Sequence, residues 1–369
     1  MKIDNVAQTE RAFQVTWTDQ SSSEFPFIWL RDNDPHELHP HTKERTFDLT
    51  SVPIDISPAS SNSDADELRV LWPDREDSSR YEAAWLYAHQ PGVSRPDPCN
   101  IKRVGWTVDD MPEPHRVDAK ACERSPEALL DALVLLKTYG IVLVENMDDD
   151  PSAGEKFGEL IAFKRETNFG VVFEVMNKAE PNNLAYTAGA LPLHTDLANQ
   201  EFVPGIQFLH CYRNSATGGG STFSDALAVC EQLKIDYPAY YKTLSTTSVP
   251  WRFHDSECDV RQRRPVIGLN AKGDFRSLTL NPHLADIPDL PADQLYDFYA
   301  AYQEIMRRTR APEHKLEYVL QQGEMVIFDN LRLLHGRESF DPASGDRHLR
   351  GYYIEHNEVE SRIRMLSNE

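Results

Sequence analysis

Apolar positions along this chain come in short runs separated by polar turns. FQVTWTD from Phe13 and FPFIWLRD from Phe25 flank a polar turn and predict a pair of strands, ELRVLWPD from Glu67 predicts another, and YEAAWLYAHQ from Tyr81 predicts a short helix. SPASSNSDADE from Ser57 reads as a solvated, turn-rich segment. A Pro-rich, acidic connection from Pro91 through DDMPEPHRVDA places a boundary near residue 105, giving expected domains 1–105 and 106–369. Next, SPEALLDALVLLKTYG carries a capping Ser125, proline at the first helical position, helical periodicity and a terminating Gly140, so it predicts a helix. IVLVENM follows as a buried strand, and further strands are predicted at FVPGIQFLHCYR, SVPWRFHD, PVIGLN, FRSLTLN, EMVIFDN and RGYYIE. Two helices interrupt them, near Ala226 and from Asp293. Many short strands with a few covering helices point to a mainly β sandwich or barrel, not to a sheet built from βαβ units.

Composition narrows the partners. A net charge of −21 with no Lys/Arg run argues against nucleic acid or an anionic membrane surface. MKIDNVAQTE lacks the pattern of a secretory leader, and ALLDALVLL from Ala128 is too short and too polar to span a bilayer. The five cysteines are scattered without CxxC spacing, which fits a reducing compartment, so a cytoplasmic protein is expected. Neither a GxGxxG nor a GxxxxGK[ST] motif is present, leaving nucleotide-binding folds without support.

The chemistry begins at LPLHTDLANQ, residues 191–200. In an extended chain His194 and Asp196 point the same way and Thr195 points opposite, so two metal-capable groups converge. His335 follows the buried strand EMVIFDN and can supply a third ligand. Two imidazoles and one carboxylate on one side of a metal leave three positions open, the arrangement of non-haem Fe(II) oxygenases, where a bidentate 2-oxo acid and dioxygen can bind. A dicarboxylic cosubstrate then needs a buried cation at its far end, for which the arginine fork is suited. SGDRHLRGYYIE offers Arg347 and Arg350 on opposite faces of a strand, and Arg347 is taken as the inward one. A zinc hydrolase using the same ligands and a metal-bound water is a rival reading, in which Arg347 has no evident role. A catalytically silent protein that binds a ligand on the same scaffold is another, and the resemblance given next would make that ligand a betaine.

Together HTD, FDNLRLLHGR and DRHLRG, with WLRDN, WPD, NNLAYTAG, PGIQFLHC and the glycines from Gly218, resemble the γ-butyrobetaine and trimethyllysine hydroxylases. These are Fe(II)/2-oxoglutarate dioxygenases related to taurine dioxygenase. The resemblance implies a double-stranded β-helix (jelly roll) catalytic domain, a small β-rich N-terminal domain and a homodimer. It implies that His194, Asp196 and His335 hold iron, that Arg347 pairs with the distal carboxylate of 2-oxoglutarate, and that Ser221 and Leu209 line the pocket around it. Decarboxylation of 2-oxoglutarate to succinate would then be coupled to hydroxylation of an unactivated C–H bond with O2.

The substrates of that family carry a trimethylammonium group, which aromatic faces hold by cation–π attraction. Phe169, Phe173, Tyr186 and Tyr353 match the cage positions, with phenylalanine at 169 and 173 where tyrosine and tryptophan are expected. Asn183 and Asn281 match amides that would bind the substrate's acid group. The expected substrate is γ-butyrobetaine or its phosphonate counterpart 2-(trimethylammonio)ethylphosphonate, with trimethyllysine as the alternative. An N-terminal structural zinc is not expected, because the cysteine positions read Asp34, His36 and His39 and the later ligand position is acidic, near Glu76 or Asp77.

Overall fold

The computed structural model describes residues 1–177 and 184–368. Two compact units divide the chain, Met1–Asp97 and Pro98–Glu369.

In the first unit, Ile3–Gln8, Ala12–Trp17 and Ser22–Pro26 form one antiparallel sheet, and Ser60–Ser63, Glu67–Leu71 and Ser79–Glu82 form another. Phe13, Trp17, Phe25, Trp72 and Tyr81 fill its core. FPFIWLRD is strand only as far as Pro26; Phe27–Asp32 is helical. The reason is visible in its burial, since Phe27 and Leu30 are both buried at a spacing of one helical turn. Within the solvated segment from Ser57, Ser60–Ser63 pairs as an edge strand with all four residues exposed. Charges hold the loop after the helix. Arg31 pairs with Asp74 at 2.8 Å and Glu37 at 3.1 Å, while Arg75 lies 2.5 Å from Glu37 and 3.4 Å from the buried Asp34. His36, His39 and His41 are exposed beside this network.

Two sheets organise the second unit. The larger runs Arg116–Asp118, Ile141–Glu145, Glu324–Asp329, Ile206–Asn214, Arg347–Ile354, Phe173–Val175; its first pair is parallel and the others antiparallel. The smaller runs Leu191–His194, Leu333–Arg337, Ser221–Asp225, Leu316–Tyr318, all antiparallel. Period-two alternation decides what each strand buries. Ile141 and Leu143 join Leu209, Val326, Phe328 and Leu349 against Phe223, Leu316 and Leu333 of the smaller sheet. Val142 and Val144 face the other way, toward helices Pro126–Tyr139 and His356–Leu366. Helices Ala226–Asp236, Pro238–Thr246 and Ala292–Thr309 cover the outside of the smaller sheet, packing with Leu193 and Leu334.

The helix at Pro126 starts and stops as its sequence predicts. Ser125 Oγ accepts the Ala128 N–H at 3.2 Å, and Gly140 closes it with φ of 80°. A Cβ at Gly140 would also lie 2.5 Å from Leu333, so the site tolerates no side chain. That contact brings the helix end onto the strand carrying His335.

One buried ion pair locks this corner. The Arg332 guanidinium donates to Asp225 Oδ1 at 2.9 Å and Oδ2 at 2.8 Å, and to the carbonyls of Thr138 and Val104, with both side chains fully buried. Asp225 also accepts the N–H groups of Trp106 and Leu227. Removing one partner of such a pair strands the other charge away from water. Arg332→Ala should therefore lower stability by about 3–5 kcal/mol in urea titration. A loss below about 1 kcal/mol, the size of an exposed pair, would show that water reaches Asp225.

Candidate active site

Strand register brings the metal-capable side chains together. His194 and His335 are directly opposed across the pair Leu191–His194 and Leu333–Arg337, with ring centroids 4.3 Å apart. The strand ends at His194, and Asp196 sits in the turn that follows. Asn330 holds that turn: its Oδ1 accepts the Asp196 N–H at 2.9 Å, and its Nδ2 donates to the carbonyls of Asp196 and Pro204. Thr195 points away as expected, exchanging hydrogen bonds with Leu278 and Leu280. The next residue, Leu197, is buried with a left-handed φ of 54°, a conformation costing about 1–3 kcal/mol for a residue with a side chain. Strain sits beside the site.

Ligand atoms of His194, Asp196 and His335 all lie within 4.8 Å of one another, the one such grouping of three among the described residues. His194 Nδ1 is 2.9 Å from the Pro192 carbonyl, to which its N–H donates, leaving Nε2 with its lone pair free. Nε2 nevertheless lies 3.1 Å from Asp196 Oδ1, and His335 Nε2 lies 3.7 Å from Oδ2. Lone pairs at that separation repel unless a cation or a proton lies between them. Two ligands about 2.1 Å from one ion at a right angle would be about 3 Å apart, so the spacing suits a divalent metal.

Protonation suits it too. Burial pushes His335 down to about 3, so its imidazole is neutral at neutral pH. Burial works against ionisation of Asp196, yet its two imidazole neighbours and the hydrogen bond that Tyr353 donates hold the carboxyl well below the usual range. Neutral nitrogen and ionised oxygen are the forms that bind metal.

A cleft of about 410 Å³ opens on these side chains, within the range of about 300–1,000 Å³ for small-molecule sites. Its wall includes Phe169, Phe173, Tyr186, Tyr353 and Asn281 together with His194 and Asp196. The aromatic rings form two pairs, Phe173 with Tyr353 and Phe169 with Phe253, each with centroids 5.4 Å apart. Gly351 makes room for the first pair, since a Cβ there would lie 2.4 Å from Phe173 and 3.0 Å from Leu209. Asn281 is largely occupied: Nδ2 donates to the Thr195 carbonyl at 2.9 Å, and Oδ1 accepts the N–H groups of His283 and Leu284. One amide hydrogen remains for the cleft. Asn183 lies outside the described residues.

Arg347, Ser221 and Leu209 are buried but do not line this cleft. Ser221 is the register partner of Arg337, two residues along from the pairing of Phe223 with His335, roughly 7 Å along the strand. Arg347 packs against Gly219, where an added Cβ would lie 2.9 Å from its Nε, and its guanidinium faces the Phe340 ring. Arg350, on the opposite face, pairs with Glu155 at 2.8 Å and Glu174 at 2.9 Å. Among the described residues no carboxylate is within ion-pair distance of Arg347, and its Nε is buried without a partner. Burial and the like charge of Arg337 push it down to about 10, still cationic at neutral pH. A buried, unpaired guanidinium fits an anionic cosubstrate.

The sequence reading missed Asn330, Arg337 and Phe253. Arg337, two residues after His335, donates to the carbonyls of Ala185, Thr187 and Gly189 and so holds the segment bearing Tyr186. Its position in HGR was a signal, because a buried arginine on a central strand must find acceptors.

Comparison with known proteins places this geometry. Residues 112–353 match the taurine catabolism dioxygenase TauD, TfdA family, and residues 5–87 match the γ-butyrobetaine hydroxylase-like N-terminal family. The γ-butyrobetaine dioxygenase of Pseudomonas sp. (strain AK-1) is 38% identical over 364 residues, covering 95% of this chain and 93% of that protein. The γ-butyrobetaine dioxygenase of Homo sapiens is 31% identical over 364 residues, covering 96% and 94%. A solved asparagine oxygenase in complex with Fe(II), 2S,3S-3-hydroxyasparagine and succinate superposes with a TM-score of 0.50 at 17% identity, over 64% of this chain and 83% of that one, a likeness of fold. With its metal-binding geometry and these matches together, the chain belongs to the taurine catabolism dioxygenase TauD, TfdA family and is an Fe(II)/2-oxoglutarate-dependent dioxygenase.

Proposed function

We propose that this enzyme hydroxylates an unactivated C–H bond of a small trimethylammonium zwitterion, γ-butyrobetaine or 2-(trimethylammonio)ethylphosphonate. The observation that carries this reading is the aromatic wall of the cleft, with Tyr186, Tyr353 and Phe173 beside His194 and Asp196. A quaternary ammonium cannot donate hydrogen bonds, and desolvated aromatic faces attract it by about 2 kcal/mol or more. Phe253 supplements Phe169 where the family pattern differs. The acid end would meet the remaining Asn281 N–H, and His254 and the Nη1 of Arg252, whose Nε and Nη2 are held by Asp259, offer further donors suited to a phosphonate's larger charge.

His194, Asp196 and His335 would hold the iron, and Arg347 would pair with the distal carboxylate of 2-oxoglutarate, with Ser221 and Leu209 bounding that end. When bound, iron and 2-oxoglutarate would activate dioxygen, one oxygen atom replacing C–H by C–OH and the other entering succinate as carbon dioxide is released. The chain's own task is to hold one carbon at a fixed distance from the metal and to exclude water. Buried Arg347 anchors one reactant and the aromatic cleft the other, so both arrive oriented.

The two sheets of Pro98–Glu369 are in this reading the halves of a double-stranded β-helix. The domain boundary proposed here lies near residue 105, and the gap between the matches at residues 5–87 and 112–353 supports it. A cytoplasmic homodimer completes the proposal.

Succinate should form only when Fe(II), 2-oxoglutarate and a trimethylammonium acid are all present, measured across a panel of carboxylate and phosphonate betaines. Absence of succinate with every member, in protein shown to be folded, would remove the substrate assignment, while His194→Ala should abolish turnover. Arg347→Met should raise the apparent KM for 2-oxoglutarate about 10- to 100-fold, the loss expected for a charge-assisted bidentate contact. An unchanged KM would place the cosubstrate elsewhere.

A further inference from the structure

Tyr353 reaches both the cleft and the metal ligands. Along Arg347–Ile354 the side chains alternate, so Tyr352 enters the outer core and donates to the Gly154 carbonyl, while Tyr353 faces the site at 4% exposure. Its ring packs against Phe173 in the cleft wall. Its hydroxyl donates to Asp196 Oδ2 at 2.7 Å. The other oxygen, Oδ1, faces His194 at 3.1 Å.

A carboxylate can give an ion one oxygen or both, and taking both would use one of the positions that the cosubstrate and dioxygen need. Asn330 fixes the Asp196 backbone but leaves rotation of its carboxylate open. A hydrogen bond to one oxygen removes that freedom. We infer that Tyr353 is a positioning residue for the metal as well as a wall of the substrate cleft: its hydroxyl holds Oδ2 of Asp196 and leaves Oδ1 to the ion. The ring and the hydroxyl thus serve different ligands. The inference rests on the reading of His194, Asp196 and His335 as a metal site, and not on which zwitterion is the substrate.

Substitution separates the two roles. Tyr353→Phe keeps the ring and removes the donor; Phe173→Leu removes the neighbouring ring and keeps the donor. Full-length protein stripped with chelator is titrated with Co(II), followed by its visible absorption. Tyr353→Phe should weaken Co(II) binding about 10-fold, the size of effect seen when a partner of a metal ligand is removed. Phe173→Leu, which keeps the hydroxyl on Asp196, should leave Co(II) affinity within about twofold of wild type. Tyr353→Phe protein that binds Co(II) as tightly as wild type would overturn the inference. Wild-type protein that binds no Co(II) would instead overturn the metal site on which it rests.

Discussion

The site depends on one cross-strand registration. Because His194 and His335 are paired across adjacent strands, their rings face one another, and the turn after His194 swings Asp196 to the same point. Slipping that pairing by one residue would send one imidazole to the opposite face of the sheet. Neighbouring contacts resist the slip: Phe328 packs on the His335 ring at 4.9 Å, Gly336 has no room for a side chain between Leu191 and Thr222, and Asn330 ties the Asp196 turn to the strand preceding His335. The buried Arg332–Asp225 pair fixes the start of the same strand against helix Ala226–Asp236.

Charge is distributed to the same end. The protein as a whole is strongly acidic, with a net charge of −21, yet two arginines on its inner strands, Arg337 and Arg347, are buried without a carboxylate partner among the described residues. Arg337 meets backbone carbonyls, and Arg347 meets no carboxylate among the described residues. Holding an unpaired cation in the interior is costly, and the dicarboxylate proposed to bind there would offset that cost. The aromatic cleft supplies the complementary preference, for a cation that needs no hydrogen bond. In the proposed reading the two ends of the site select opposite charges.

Much of this was legible in the residues. His194, Asp196 and His335 were identified from alternation and from the strand before His335, and the structure brings them together. Arg347 and Arg350 were separated by strand parity, and one is buried while the other pairs with Glu155 and Glu174. The helix at Pro126 was legible because both of its ends carry caps. Other elements were not. Helix Pro238–Thr246 is rich in Thr, Ser and Tyr, and helix His356–Leu366 buries only Val359, Ile363 and Leu366, so tertiary packing and not local preference makes them helical. Phe27–Asp32 looked like strand because its apolar residues are nearly continuous, a pattern that either element satisfies. Asn330, Arg337 and Phe253 escaped because their importance lies in contacts with residues far along the chain, which no local pattern encodes.

A structure of the protein crystallised without oxygen in the presence of Fe(II) and 2-oxoglutarate tests the account most directly. A single ion bonded by His194, Asp196 and His335, with the distal carboxylate of the 2-oxo acid on Arg347, is the predicted result. An ion bound elsewhere, or a keto acid whose far carboxylate leaves Arg347 untouched, would contradict it.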